Sequence, residues 1–482
     1  MIRRFIIFRF LIGSLITILA VSFTRGQYSM TQYHMYGIPQ ANHLNPAFQP
    51  DCKFYLGMPI LSPLRFSLGM SSIQYGDIFS WNSSLGKYIN FMHPLGDKDA
   101  FLNTLKPVNN LRIALGTDII SMGWKKEKLF VSMDLAERIE TNLSLPKDLF
   151  QFLVYGSRNQ DRFNFSDLGV DLTYFREFAL GVSYKTEESI QFGGRVKALF
   201  GITNAKIYPS IMNLTTSIEN WDIQSQMNID MSVPFLNVQT DADGKLDTLY
   251  LDENFDKEIA SNISTMMGKG NLGLGLDLGV SYPVLEKLTV SASLTDLGFI
   301  RWKRNIYNLK QDGQFSFDGI EMNLLDRNGG DSNMVNQMMD TLMNQMDFYV
   351  SNDPYTTNLS GTLRVGAAYE LNPAVRFGLA TSTMVYNSRF YNQVTLSANV
   401  QPIRAFSASL SYSIIGKNYA NLGFGLSLKA GPFNFYFITD QVPSAYLIPK
   451  SIQGMNFWLG MNTVFGCSKK KAKKPDDLPL IY

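Results

Sequence analysis

Histidine and cysteine are scarce in this chain of 482 residues, with three of the first and two of the second. His34, His43 and His93 stand in no metal-ligand or HExxH spacing. His34 and His43 are near enough in sequence to meet, but two imidazoles alone do not make a metal site, and neither metal nor cofactor is expected. There is no Walker motif, nucleophile elbow or Ser-His-Asp arrangement, so an enzyme is not expected. Pairs such as Gly273-x-Gly275 lie inside alternating segments rather than at a strand-to-helix turn, which excludes a dinucleotide fingerprint. Two cysteines also exclude a disulfide-dense secreted scaffold. Charge is low, 17% of residues with a formal net of +2, so there is no compositional basis for binding nucleic acid. Beyond the first residues no run of 18 apolar residues occurs, and no transmembrane helix is expected there.

Residues 1–26 read as a secretory signal. Arg3, Arg4 and Arg9 form the charged start and Leu11 to Val21 the apolar centre. Thr24-Arg25-Gly26 puts small residues at −3 and −1 before Gln27. A membrane anchor is the alternative, but the apolar run is shorter than the ~20 residues a spanning helix needs.

What the chain has in quantity is alternation. From Asn271 to Tyr282 the even positions are Leu272, Leu274, Leu276, Leu278, Val280 and Tyr282. The odd positions are Asn271, Gly273, Gly275, Asp277, Gly279 and Ser281. A strand sends these two sets to opposite faces. The pattern recurs at Leu288–Thr295, Gln393–Val400, Phe406–Tyr412, Leu422–Lys429 and Met455–Met461, and earlier at Leu168–Tyr174 and Phe178–Tyr184. Each segment is close to the ~9–11 residues of a tilted membrane-crossing strand. Only helices and closed barrels satisfy their backbone in lipid. The expected fold is therefore all-β, a transmembrane antiparallel barrel of about 14 strands, with 16 next, and long loops carrying short helices. A soluble sandwich also alternates, but its polar face is usually dressed with Lys, Glu and Thr. Here that face is Gly, Ser and Asn, which suits a crowded lumen. Aromatic residues near strand ends, Tyr174-Phe175, Tyr184, Tyr282, Trp302, Tyr369 and Tyr412, are expected to form interfacial girdles.

Turn signals such as Asn372-Pro373 and Gly431-Pro432 predict short links. Long connections are expected near 74–110, 137–166 and 303–360. The second carries Leu145-Pro146-Lys147-Asp148-Leu149-Phe150, a helix start with an early proline. The third carries Met334, Val335, Met338, Met339, Leu342, Met343 and Met346 at helical spacing. That methionine-rich face is either an adaptable contact surface or, more simply, a face packed on the barrel mouth. The acidic stretch Asp241 to Asp256 reads as solvated loop.

Several motifs carry a resemblance. They are the stretch Gln27 to Asn45-Pro46-Ala47, then Tyr174-Phe175-Arg176-Glu177-Phe178-Ala179-Leu180-Gly181, and Phe192-Gly193-Gly194-Arg195-Val196-Lys197. Asp277-Leu278-Gly279 and Ser293-Leu294-Thr295-Asp296-Leu297-Gly298 follow. In this order they resemble an uncharacterised Bacteroidota outer-membrane β-barrel family in the broad FadL-like and PorV-like group, which includes fatty-acid channels and subunits of a secretion system. The resemblance covers nearly the whole chain after residue 26. It implies a roughly 14-stranded barrel with an N-terminal segment that is tucked into the lumen or stays periplasmic. It transfers no substrate.

The expected organisation is a signal at 1–26, an N-terminal segment at 27–51, the barrel at 52–466 and a basic tail at 467–482. Inward parity makes Arg195, Lys197, Arg364, Asp171 and Asp277 candidate lumen charges, which either serve a ligand or pair with one another. Cys52 opens the first strand and Cys467 follows the last. In a closed barrel of even strand number these ends are neighbours, so in an oxidising periplasm one reading is a disulfide pinning the seam, and the other is two unpaired thiols held apart by stagger. The run Lys469 to Lys474 is a solvated tail or a contact for an acidic partner or cell-wall polymer. Two functions compete. One is a transport or channel barrel for a small hydrophobic or amphiphilic molecule, set in outer-membrane lipid. The other is a plugged barrel docking proteins of a secretion or surface-assembly machine.

Overall fold

The computed structural model describes residues 30–217, 220–234, 236–251, 270–317, 347–386, 389–415, 418–442 and 453–467. The signal at 1–26, the methionine-rich stretch 334–346 and the lysine run 469–474 lie outside the described residues.

The alternating segments form strands in one continuous antiparallel sheet. β1 is in two pieces, Phe54–Gly57 and Leu64–Met70. There follow β2 (Val108–Lys126), β3 (Leu129–Pro146), β4 (Gly169–Lys185), β5 (Gln191–Thr216), β6 (Leu272–Leu285) and β7 (Leu288–Trp302). The round is completed by β8 (Thr362–Asn372), β9 (Val375–Tyr386), β10 (Arg389–Ile403), β11 (Phe406–Ile415), β12 (Asn418–Ala430), β13 (Phe433–Thr439) and β14 (Gly454–Phe465). β14 returns to β1, with Phe465 opposite Phe54 and Leu459 opposite Leu64. The 14 strands thus close on themselves as a transmembrane barrel. Among the described residues no helix is long and apolar enough to cross a membrane.

The two faces sort as their chemistry demands. On β6 Leu272, Leu274, Leu276 and Leu278 are exposed outward, while Asn271, Gly273, Gly275 and Asp277 are buried inward. An apolar outside and a polar inside are what a lipid-embedded barrel requires. Tight links of a few residues (for example between Lys126 and Leu129, or Ala430 and Phe433) gather at the end that also holds Cys52 and Cys467. Long connections gather at the other end.

A bulge corrects one expectation. Leu276 stands opposite Leu297, but Leu278 stands opposite Leu294, so Thr295 and Asp296 together face the single residue Asp277. Asp296 takes a positive φ of 59°. Beyond it the outward parity of β7 switches from even to odd positions. Trp302 therefore points inward and is fully buried, packed with Phe175, Leu199 and Ile300, rather than joining an interfacial girdle. Tyr184, Tyr369 and Tyr412 do remain exposed on the outer surface.

The long connections are shorter than expected because strands overrun the membrane. Residues 137–146 belong to β3, so the second connection begins only at helix α1 (Lys147–Tyr155), with Pro146 at its N-cap. The upper half of β5 pairs with a strand at Trp221–Ser232, which pairs with one at Ile306–Phe317. The Ile306–Phe317 part of the expected third loop is thus sheet that extends the upper half of β5. Residues Asp241–Lys245 turn an exposed hairpin between strands Leu236–Thr240 and Leu246–Leu251.

Candidate functional site: a plugged lumen

Residues 30–50 run through the lumen. Two single-turn 3-10 helices, Thr31–His34 and Pro39–His43, shape the segment, and nearly every residue from Met30 to Ala47 is buried. Such an irregular segment leaves backbone polar groups unsatisfied unless the wall supplies partners. The wall does so around its whole circumference. Asp440 accepts the N–H groups of Met30 (2.7 Å) and Thr31 (2.8 Å). Ser407 Oγ donates to the Tyr36 carbonyl (2.9 Å), Ser293 Oγ to that of Leu44 (2.7 Å) and Ser183 Oγ to that of Ala47 (3.0 Å). Asn45 donates to the Tyr33 hydroxyl and to the carbonyls of Val280 and Ala292. Burial, then the nearby Arg376 guanidinium, pushes the His34 imidazole down to about 4, so the plug carries a neutral ring at neutral pH.

One row of the wall is built for this segment. Ser183, Gly193, Gly279 and Ser293 are successive register partners across β4 to β7. They form an inward band of small residues with Asn45-Pro46-Ala47 lying on it. A Cβ on Gly193 would sit 2.1 Å from the Pro46 carbonyl oxygen, and one on Gly279 would sit 2.1 Å from Asn45 Oδ1. Three motifs far apart in the chain thus meet at one place. On the lipid side of the same row lies an apolar groove of about 600 Å³, walled by Tyr184, Phe192, Leu278, Val280, Leu294 and Leu363. Only backbone and the small row separate the groove from the plug.

Above this row the lumen holds a continuous ion-pair network. Arg195 pairs with Asp134 (2.7 Å) and Asp277 (3.4 Å). Lys197 pairs with Asp296 (2.7 Å), Asp277 (2.9 Å) and Glu177 (3.5 Å). Arg138 joins Asp296, Glu177 and Glu140, and Arg112 ends the chain on Glu140. The bulge is what brings Asp296 into this set. The plug reaches the network through His43, whose ring contacts Asp134 (3.2 Å) and lies 3.9 Å from Asp118, which is itself paired with Arg65 (2.8 Å). His43, Asp118 and Asp134 are close enough to hold a cation, but Arg65 and Arg195 already neutralise the two carboxylates. His34 lies elsewhere, against Gly366 and Gly378, so the two histidines do not meet.

Of the residues singled out from sequence, Arg195, Lys197 and Asp277 come together as lumen charges. Arg364 is buried nearby and donates to Thr295 Oγ1 (2.7 Å). Asp171 sits apart, in an outer chamber of about 250 Å³ that it shares with Lys206, Tyr208, Tyr386 and Tyr391. Arg112 and Ser67 line both that chamber and a smaller one of about 100 Å³ within the ion-pair network. Below the plug, at the short-turn end, a vestibule of about 700 Å³ opens. Cys52 and Cys467 lie at its edge, Sγ to Sγ 2.06 Å, as a disulfide packed against Tyr55, Phe130 and Val464.

Solved structures to which the chain is similar include the toluene transporter TbuX of Ralstonia pickettii, at 10% identity over 92% of this chain and 96% of that one, with a TM-score of 0.34. The toluene transporter TodX of Pseudomonas putida is 9% identical over 92% and 95%, with a TM-score of 0.36. A FadL homologue of Pseudomonas aeruginosa is 10% identical over 93% and 100%, with a TM-score of 0.25. At such scores the likeness assigns no substrate. No curated protein matches the chain. One family does match, over residues 46–440, from the Pro46 that rests on the glycine row to the Asp440 that anchors the plug. The chain belongs to this family, described as a family of unknown function, DUF5723.

Proposed function

We propose that this is an outer-membrane barrel of transport or channel type, which admits a small hydrophobic or amphiphilic molecule and is closed at rest by its own N-terminal segment. The observation that carries the reading is the apolar groove backed by the small-residue row. At that place lipid-side apolar surface, a wall without bulky inward side chains and the plug segment coincide. A molecule that prefers lipid gains free energy in such a groove by burying apolar area, and it needs only the plug to shift to communicate with the lumen. Export through a signal at 1–26 and residence in the outer membrane belong to the same reading. So does the polar outer chamber, whose tyrosines and charged groups suit the head of an amphiphile.

The test locks the plug. In a Thr31→Cys/Ser411→Cys variant, thiols replace a plug hydroxyl and a wall hydroxyl that lie 2.6 Å apart, and a bond between them ties the plug to the wall. Uptake of a hydrophobic fluorophore by proteoliposomes is expected to fall to the protein-free background when this bond is oxidised and to recover on reduction. Unreacted chain with and without reductant is the control. Unchanged uptake with the plug locked would refute the gating.

The filled lumen is also the observation that favours the second reading, a static barrel that docks other proteins. Under that reading no treatment of the plug produces uptake.

A further inference from the structure

The vestibule below the plug has a composition that the transport reading does not use. Its walls bring Lys185, Arg376, Arg404 and Lys429 from four separate strands or turns onto one cavity of about 700 Å³. The acids that line it are Asp51 and Glu370, and Glu370 is already paired with Arg376 (2.5 Å). Its roof is apolar and belongs to the plug: Tyr36, Ile38, Pro39 and Phe48. At the centre of that roof is Gly37, the one residue of the plug that is well exposed, at the tip of a turn with φ 76°. Arg376 clamps this turn. Its guanidinium lies 4.2 Å from the Tyr36 ring centroid and donates to the His34 carbonyl (3.3 Å). A concave site with cationic walls, an apolar roof and room for several residues is a peptide-sized pocket.

We propose that the vestibule is a docking site for an acidic, apolar-flanked peptide segment of a partner protein on the short-turn side. Carboxylates of the segment pair with Lys185, Arg404 and Lys429 while its apolar residues cover the roof. Opposite charge in a recessed site speeds encounter and fixes orientation. Because Arg376 holds both the vestibule wall and the plug turn, a carboxylate that recruits Arg376 loosens its grip on Tyr36 and His34. Occupancy of the vestibule is thereby coupled to the plug. Coupling of this kind requires the peptide to bind better to the loosened state than to the clamped one. The proposal goes beyond the transport reading and does not depend on what, if anything, crosses the wall.

The experiment uses the full chain in detergent and two synthetic fluorescent peptides, one of alternating Glu and Leu and one with every Glu replaced by Gln. Fluorescence anisotropy is expected to give saturable binding of the acidic peptide only, weakened by added salt. The Lys185→Gln/Arg404→Gln variant is expected to bind about tenfold more weakly, and Lys287→Gln, an exposed lysine on the same rim outside the vestibule, is expected to bind as the parent does. Amide exchange at 34–39 is expected to rise when the acidic peptide is bound. Three results would each overturn the proposal: equal binding of both peptides, equal weakening by the Lys287 and vestibule substitutions, or binding only after removal of 468–482, which would make this chain's own segment the occupant.

Discussion

Gly193 and Gly279 face each other across two strands, and each has plug backbone or side chain where a Cβ would stand. A larger residue there cannot be absorbed by rotating a side chain, because the atoms it meets include the Pro46 carbonyl. Gly193→Val and Gly279→Val should therefore leave the barrel folded and dislodge the plug. The measurement is amide exchange in detergent, where residues 44–47 are expected to lose protection while β6 keeps it. At the same scale, Asp134 answers Arg195 and accepts from Ser121 in a site almost closed to solvent. Removing one partner of a buried pair leaves the other charge uncompensated, at a cost of about 3–5 kcal/mol. Asp134→Ala should lower the denaturant midpoint accordingly, and replacing Arg195 by Met in the same chain should recover part of the loss.

At the scale of elements, parity reading reaches a long way and stops at irregularities. The alternation at Asn271–Tyr282 and Gln393–Val400 is the barrel itself, because a period of two has one geometric meaning. Arg195, Lys197 and Asp277 follow from the same parity. Asp296 does not, since the strand changes phase at the bulge and both Thr295 and Asp296 are polar enough to leave no trace of it. Arg138 and Glu140 escape notice for another reason: β3 runs on to Pro146, through polar residues from 137 onward that read as loop. The plug is legible only as a resemblance. Its contacts join residues as distant as Thr31 and Asp440, and no local pattern encodes them. The seam is the other long-range element. The Cys52–Cys467 bond spans 415 residues of sequence and ties the start of β1 to the end of β14. Closing so long a loop constrains the unfolded chain, with a stabilisation of up to about 5 kcal/mol. Cys52→Ser/Cys467→Ser is expected to unfold at lower temperature in detergent, while the unreduced parent migrates more compactly after heat denaturation than the reduced parent. Identical migration with and without reductant would count against a covalent seam.

The whole molecule is a stack of chambers along one axis: an outer one that takes Asp171, a small charged one, the plug and the vestibule. Charged groups in the middle are matched to each other, which rigidifies the wall; on the gating proposal it is the plug that moves. The glycine row, the groove and the plug turn all concern that one segment. Its removal should convert a closed barrel into an open one without changing the strands, since their ladder closes without it. The direct measurement is single-channel conductance in a planar bilayer, comparing the chain with a variant lacking residues 30–47. The intact chain is expected to show no steady conductance and the variant a stable open level that persists at both polarities. A steady open level in the intact chain, or silence from a correctly folded variant, would contradict the account.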